Sequence, residues 1–246
     1  MGMLLHSLER SEYLFEHQMH FSLLSQINVL DEQPWRMLYE TYLVEEVLFN
    51  ALAGRFLNMN ANDFSYIRSV KSDEEIDVRL AKSWRRKEVY EVGREWRVAA
   101  KVPAAPAYAA RLLEYYPGTV FLIMVRRPES VLGSFLRKGW FSDFSLSAPI
   151  KTYPPYRCVG DVWLPWYIAD ENAEEFSRLS EVERGCSYFI SAYSDIPQSP
   201  NVLFVDYDTF VQSPHYVFDR ICKKINGERG PKTEELLDRI KEPVKD

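Results

Sequence analysis

Residues 121–140 read FLIMVRRPESVLGSFLRKGW. An apolar run ends on two adjacent arginines, a proline follows, and a serine stands eight positions after the first arginine. The run Val120 to Val125 is apolar at every position, as a strand covered by helices on both faces must be. Pro128 suits the first turn of a helix, where its missing N–H is no loss. The spacing after it predicts a helix from about Glu129 to Lys138, with Gly139 as its C-cap.

Outward from this stretch the same alternation repeats. WRVAA (96–100) predicts a strand and APAYAARLLEYY (105–116) a helix that leads into the apolar run. SEVERGCSYFISAYSD (180–195) predicts a helix, NVLFVDY (201–207) a strand, HYVFDRICKKIN (215–226) a helix, and a last helix is expected near 232–241. Strands joined by crossover helices must run parallel, so the expected class is α/β, a parallel β-sheet flanked by helices on both faces.

Upstream, residues 2–10 have near-helical spacing and YLFEH (13–17) is a short strand candidate. Residues 34–58 carry a long apolar stripe (Trp35, Leu38, Tyr42, Val47, Leu48, Leu52, Phe56) and predict a helix. The charged run 71–88 reads as a helix with a solvated face. Residues 141–169 are rich in aromatics and prolines, and a stretch of that length without regular pattern inside a compact domain is usually functional or mobile. No linker or internal repeat divides the chain, which is read as a single domain over residues 1–246.

Composition narrows the function. Of 246 residues, 46% are hydrophobic and 14% aromatic, enough for a sizeable core. A formal net charge of −6 argues against a duplex nucleic-acid binder, so any anion must be held by a local group of cations. The three cysteines, Cys158, Cys186 and Cys222, are odd in number and in no metal-ligand spacing, which favours a reducing compartment. MGMLLHSLER shows no secretory or myristoylation pattern, and the longest strictly apolar run is too short to span a bilayer. The expected location is the cytoplasm.

In an open parallel sheet, ligands bind beyond the carboxyl ends of the strands. Those ends carry Glu16 and His17, Lys101, Arg126 and Arg127, and Asp206 and Asp208. Any one of them satisfies the rule that a strand leaving a core ends in polar residues. Together, lysine and arginine at strand ends of an acidic protein indicate a localized anion site. Arg126 can fork two donors onto a phosphate, and Ser134 can add an O–H from the following helix.

VRRPESVLGS resembles the sulfotransferases that use 3′-phosphoadenosine 5′-phosphosulfate (PAPS). In that family a strand-end arginine, usually followed by Asp-Pro, and a serine eight positions later bind the donor's 3′-phosphate; Arg127 departs from the usual acidic residue. KVPAAPAYAARLLEYYPGTVFLIMVRRP is similar to the family's stretch from K-T-P to R-D-P, with Val102 where threonine is common. NVLFVDYDTFVQSPHYVFDRICKKING resembles a later V-x-Y-E-D-L segment, with Asp208 for glutamate. The likeness covers residues 96–226 and, more weakly, 3–21. RKG at 137–139 looks like another family motif but follows Ser134 too closely, and reads instead as the helix end.

The resemblance implies a P-loop-NTPase-like sulfotransferase fold and transfer of a sulfuryl group from PAPS to a hydroxyl, without a required metal and with 3′,5′-ADP as product. It places Arg126 and Ser134 on the 3′-phosphate, Lys101 on the bridging oxygen, and Glu16 as base, with His17 and His20 in reserve. Similarity to bacterial, carbohydrate-type members points to a saccharide acceptor. Trp140, Phe141, Tyr153, Tyr156, Trp163 and Trp166 either stack on that acceptor or are core. Self-association is left open. The family's first strand and phosphosulfate loop have no counterpart here, since MGMLLHSLERSEYLFEH resembles the helix after the loop. Two accounts stand: natural residues upstream of Met1, or a catalytically inactive module of the same fold that binds 3′,5′-ADP or PAPS.

Overall fold

The structure, a computed structural model, describes residues 1–63, 65–102, 106–147, 156–160, 162–165, 168–194 and 196–240. It is a mixed helix and strand protein with small parallel sheets. In chain order the helices and strands are α1 (Gly2–His6), β1 (Ser11–Phe15), α2 (Gln18–Ser25) and α3 (Glu32–Thr41), which runs on through a π-helical stretch, Tyr42–Phe49, into α4 (Asn50–Leu52). Then follow α5 (Asp73–Ala81), α6 (Arg86–Gly93), β2 (Arg97–Lys101), α7 (Pro106–Tyr115), β3 (Phe121–Val125), α8 (Pro128–Lys138) and α9 (Asp143–Ser147). A hairpin of β4 (Tyr156–Val159) and β5 (Val162–Pro165) leads to α10 (Ala173–Arg178), α11 (Glu181–Ser194) and β6 (Val202–Asp206). Three helices close the chain, α12 (Tyr207–Gln212), α13 (Pro214–Ile225) and α14 (Thr233–Asp238).

The chain forms two compact units: Met1–His17 with Gln33–Lys101 and Asp208–Asp246, and Gln18–Glu32 with Val102–Tyr207. Each holds one parallel pair. In the first unit β1 pairs with β2, from Ser11↔Arg97 to Phe15↔Lys101. In the second β3 pairs with β6, from Phe121↔Val202 to Val125↔Asp206. The parallel pairing expected of crossover connections is present in both, but as separate two-stranded ladders, and β4 with β5 adds an antiparallel one.

The first unit's core includes Leu48, Leu52 and Val89, against which Trp84, Trp96 and Val98 pack. That packing explains why the charged run 71–88 is not one helix. Ser72 caps α5 by accepting the Glu75 N–H at 3.2 Å, but residue 82 turns extended (φ −85°, ψ 126°). The extended link carries Trp84 into the apolar cluster, and α6 starts afresh with Glu88 accepting the Arg85 N–H at 2.9 Å. Most of the run is exposed, as a solvated face should be, but Lys71 and Arg79 are buried.

The second unit has a core cluster of Leu146, Leu164, Ile168 and Phe176, which draws α9 and β5 of the aromatic stretch together with α10. Phe141 is core, in edge contact with Phe135, whereas Trp140 is exposed. Tyr153 and Trp166 lie outside the described residues, as does the side chain of Tyr156. α8 begins with Pro128 in its first turn and ends at Gly139, whose φ of 60° is the left-handed conformation a glycine cap adopts without strain. Among the described residues no helix is long and apolar enough to cross a membrane.

Candidate functional site

Register decides which side chains meet beyond the strand ends. Because Phe15 stands opposite Lys101, the residue after Phe15 arrives beside the lysine. Glu16 leaves the strand with φ 45°, an uncommon conformation for a residue with a side chain. Its Oε1 accepts a hydrogen bond from Lys101 Nζ at 2.5 Å. The same ammonium lies 4.7 Å from the centre of the Phe15 ring. Both charges remain partly open to solvent. Glu16 raises the phenol pKa of Tyr13, second in effect to burial.

His17 follows Glu16 and is exposed. Its Nδ1 lies 3.0 Å from the hydroxyl of Tyr42, the first residue of the π-helical stretch, with the two rings tilted by 39°. Tyr42 is buried. Burial, and then the neighbouring Tyr39 and Glu46, push its phenol far above the ordinary range. His20 sits buried in α2 of the second unit.

The second unit repeats the register logic. Val125 faces Asp206, so Arg126 and Tyr207, the next residue on each strand, arrive side by side. The guanidinium carbon of Arg126 lies 4.7 Å from the centre of the Tyr207 ring, a cation–π contact that orients the exposed fork without neutralizing it. α8 begins two residues after Arg126, and Ser134 stands half-buried in its second turn.

The structure therefore brings Glu16 and Lys101 into contact in one unit, and in the other sets Arg126 on Tyr207 at the strand end that precedes the helix of Ser134. The aromatic partners Phe15, Tyr42 and Tyr207 are absent from a reading of polar strand ends. Two were within reach of one: parallel register makes the residue after Val125 a neighbour of the residue after Asp206, and puts Phe15 against Lys101.

Sequence reading also overlooks a buried ionic cluster in the first unit. Glu12 points inward from β1, with Oε1 2.7 Å from an Arg79 guanidinium nitrogen and Oε2 3.3 Å from His6 Nε2. Arg79 also reaches Glu75 at 2.5 Å, and Lys71 donates to the Leu8 carbonyl at 2.8 Å. A carboxylate at an inner position of SEYLF was the available signal, since such a group requires a cation nearby.

No family profile matches the chain, and no curated protein does. Among solved structures, a sulfotransferase domain from the curacin biosynthetic pathway is similar at 15% identity and a TM-score of 0.36, over 94% of this chain and 72% of that one.

Proposed function

We propose that the chain is a PAPS-dependent sulfotransferase that moves a sulfuryl group to a hydroxyl acceptor, with a saccharide as the first class to test. The observation that carries this reading is the β3–α8 unit. An exposed strand-end arginine held on an aromatic ring, followed at once by an eleven-residue helix that carries a serine eight positions after the arginine, supplies donors of the kind a terminal phosphate needs. Its spacing is that of the 3′-phosphate site in the family the sequence resembles.

In this reading Arg126 and Ser134 bind the donor's 3′-phosphate, away from the reacting sulfur. Glu16 takes the proton of the acceptor hydroxyl as that oxygen bonds to sulfur, and the bond from sulfur to the bridging phosphate oxygen breaks to release 3′,5′-ADP. Lys101 stabilizes the charge that develops on the leaving oxygen. The Glu16–Lys101 pair supports this assignment, because the lysine holds the carboxylate next to it and is itself open enough to be recruited by an anion.

Calorimetry with 3′,5′-ADP, followed by transfer of labelled sulfuryl from PAPS to a panel of saccharides, lipids and phenols, tests the proposal. Binding and transfer are expected. Binding without transfer would favour the non-catalytic nucleotide module, and the absence of binding would reject both.

A further inference from the structure

The contact between His17 and Tyr42 distinguishes two nitrogens that a sequence treats alike. An imidazole has one nitrogen that donates and one that accepts when neutral, and whichever is fixed by a neighbour decides what the other can do. Here the neighbour is a hydroxyl 3.0 Å from Nδ1, on a ring that is buried where the histidine is exposed. Nε2 is separated from Nδ1 by one ring carbon, and its own hydrogen or lone pair diverges from that of Nδ1. We infer that Tyr42 is a positioning residue for His17: its O–H donates to Nδ1 and holds the neutral tautomer with the proton on Nε2, so that His17 presents an N–H donor to an anionic oxygen and leaves proton abstraction to Glu16.

Three observations support this. Tyr42 Oη lies within hydrogen-bond distance of Nδ1, and burial first, with Tyr39 and Glu46 behind it, raises the phenol pKa, so the hydroxyl carries a hydrogen at neutral pH. The π-helical stretch that begins at Tyr42 is a wider turn of the kind often found at functional sites, where it re-aims side chains relative to an ordinary helix. The neighbouring residue in sequence is the Glu16 carboxylate already joined to Lys101, so a second acceptor of protons there is redundant while a second donor complements the lysine. The donor role rests on the reading of this strand end as the sulfuryl-transfer site; the tautomer does not.

The experiment uses the full chain with ¹⁵N-labelled histidine and long-range ¹H–¹⁵N correlation spectra. In the wild type, His17 Nδ1 is expected in the unprotonated range and Nε2 in the protonated range. Tyr42→Phe keeps the buried ring and removes the hydroxyl, and the His17 nitrogens should then shift toward the averaged positions of a mixed tautomer. Inorganic sulfate, added as the probe oxyanion, should move the Nε2 resonance of the wild type in a saturable way. A wild-type spectrum with the proton on Nδ1 would overturn the inference, and it decides the matter even if Tyr42→Phe does not fold. An unmoved Nε2 resonance at saturating sulfate would overturn the donor role. If no sulfuryl transfer is found but the tautomer is as stated, the proposed reaction fails and the positioning by Tyr42 stands.

Discussion

Glu16 and Lys101 meet, 2.5 Å apart, because β1 and β2 are parallel and end in register. The pair is partly exposed, and such pairs contribute about 1 kcal/mol or less to stability. Glu16→Gln should therefore leave thermal unfolding nearly unchanged. If Glu16 is the base, the same change lowers turnover by roughly 10² to 10⁴-fold while 3′,5′-ADP affinity stays close to wild type, because a base acts in the transition state. Transfer rates and calorimetry on the two proteins check this, and wild-type turnover in the variant would remove Glu16 from the reaction.

Arg126 should discriminate between ligands. Arg126→Ala is expected to weaken 3′,5′-ADP by about ten- to a hundredfold, the worth of a charge-assisted contact, and adenosine much less. Ser134→Ala should show the same selectivity with a smaller loss. Tyr207→Leu removes the ring beneath the guanidinium and should cost a few-fold, since exposed cation–π contacts contribute about 0.5 to 1 kcal/mol. Equal losses for both ligands in Arg126→Ala would place the phosphate elsewhere.

Much of the secondary structure was legible because periodicity and punctuation agreed. The apolar run before Arg126, Pro128 and Gly139 set the limits of β3 and α8 to within a residue. The charged run 71–88 misled for a physical reason. A polar pattern reports mean solvation, and it cannot show that Lys71 and Arg79 are buried against a carboxylate more than fifty residues away in sequence. The strand-end residues were legible one at a time, but their partners depend on register, a property of two strands together. Tyr42 lay hidden for the opposite reason: it sits in a good apolar stripe, and a stripe gives no sign that one hydroxyl in it reaches a histidine.

Arg184 should be the least replaceable cation of the second unit. It is buried on α11, and its guanidinium donates to the carbonyls of Phe141 at 3.0 Å, Phe176 at 3.2 Å and Ser177 at 2.6 Å, and to Asp143 at 2.7 Å. One side chain thus ties the link between α8 and α9 to the end of α10, where the Phe176 carbonyl also accepts the Leu179 N–H at 3.2 Å. Arg184→Lys keeps the charge but cannot reproduce the planar fork, and the loss of this donor to the Phe141 and Ser177 carbonyls should cost about 2 to 4 kcal/mol. Urea unfolding measures the loss, and limited proteolysis should cut first between residues 141 and 180. An unfolding midpoint equal to wild type would show that these carbonyls find other donors.

Glu12 should govern acid stability. Burial alone pushes its carboxyl up, but the hydrogen bond from His6 and the charges of Arg79, His6 and Lys71 outweigh burial and hold it at about 2, against an ordinary value of 4.5. The folded value lies below the unfolded one, so the unfolded chain binds the proton more readily between them. The stabilization is complete above about pH 4.5 and is lost as pH falls toward 2, and it is worth roughly 3 kcal/mol. Urea midpoints of wild type and Glu12→Gln should differ most near neutral pH and converge in acid. Arg79→Met at neutral pH should be costlier than Glu12→Gln, about 3 to 5 kcal/mol, because it leaves a buried carboxylate without its main cation, whereas Glu12→Gln leaves Arg79 still paired with Glu75. Removing both partners should cost less than the sum of the two single changes, since they share one interaction. Parallel pH profiles for wild type and Glu12→Gln would show that the carboxylate titrates as it does in the unfolded chain and that the cluster does not hold it.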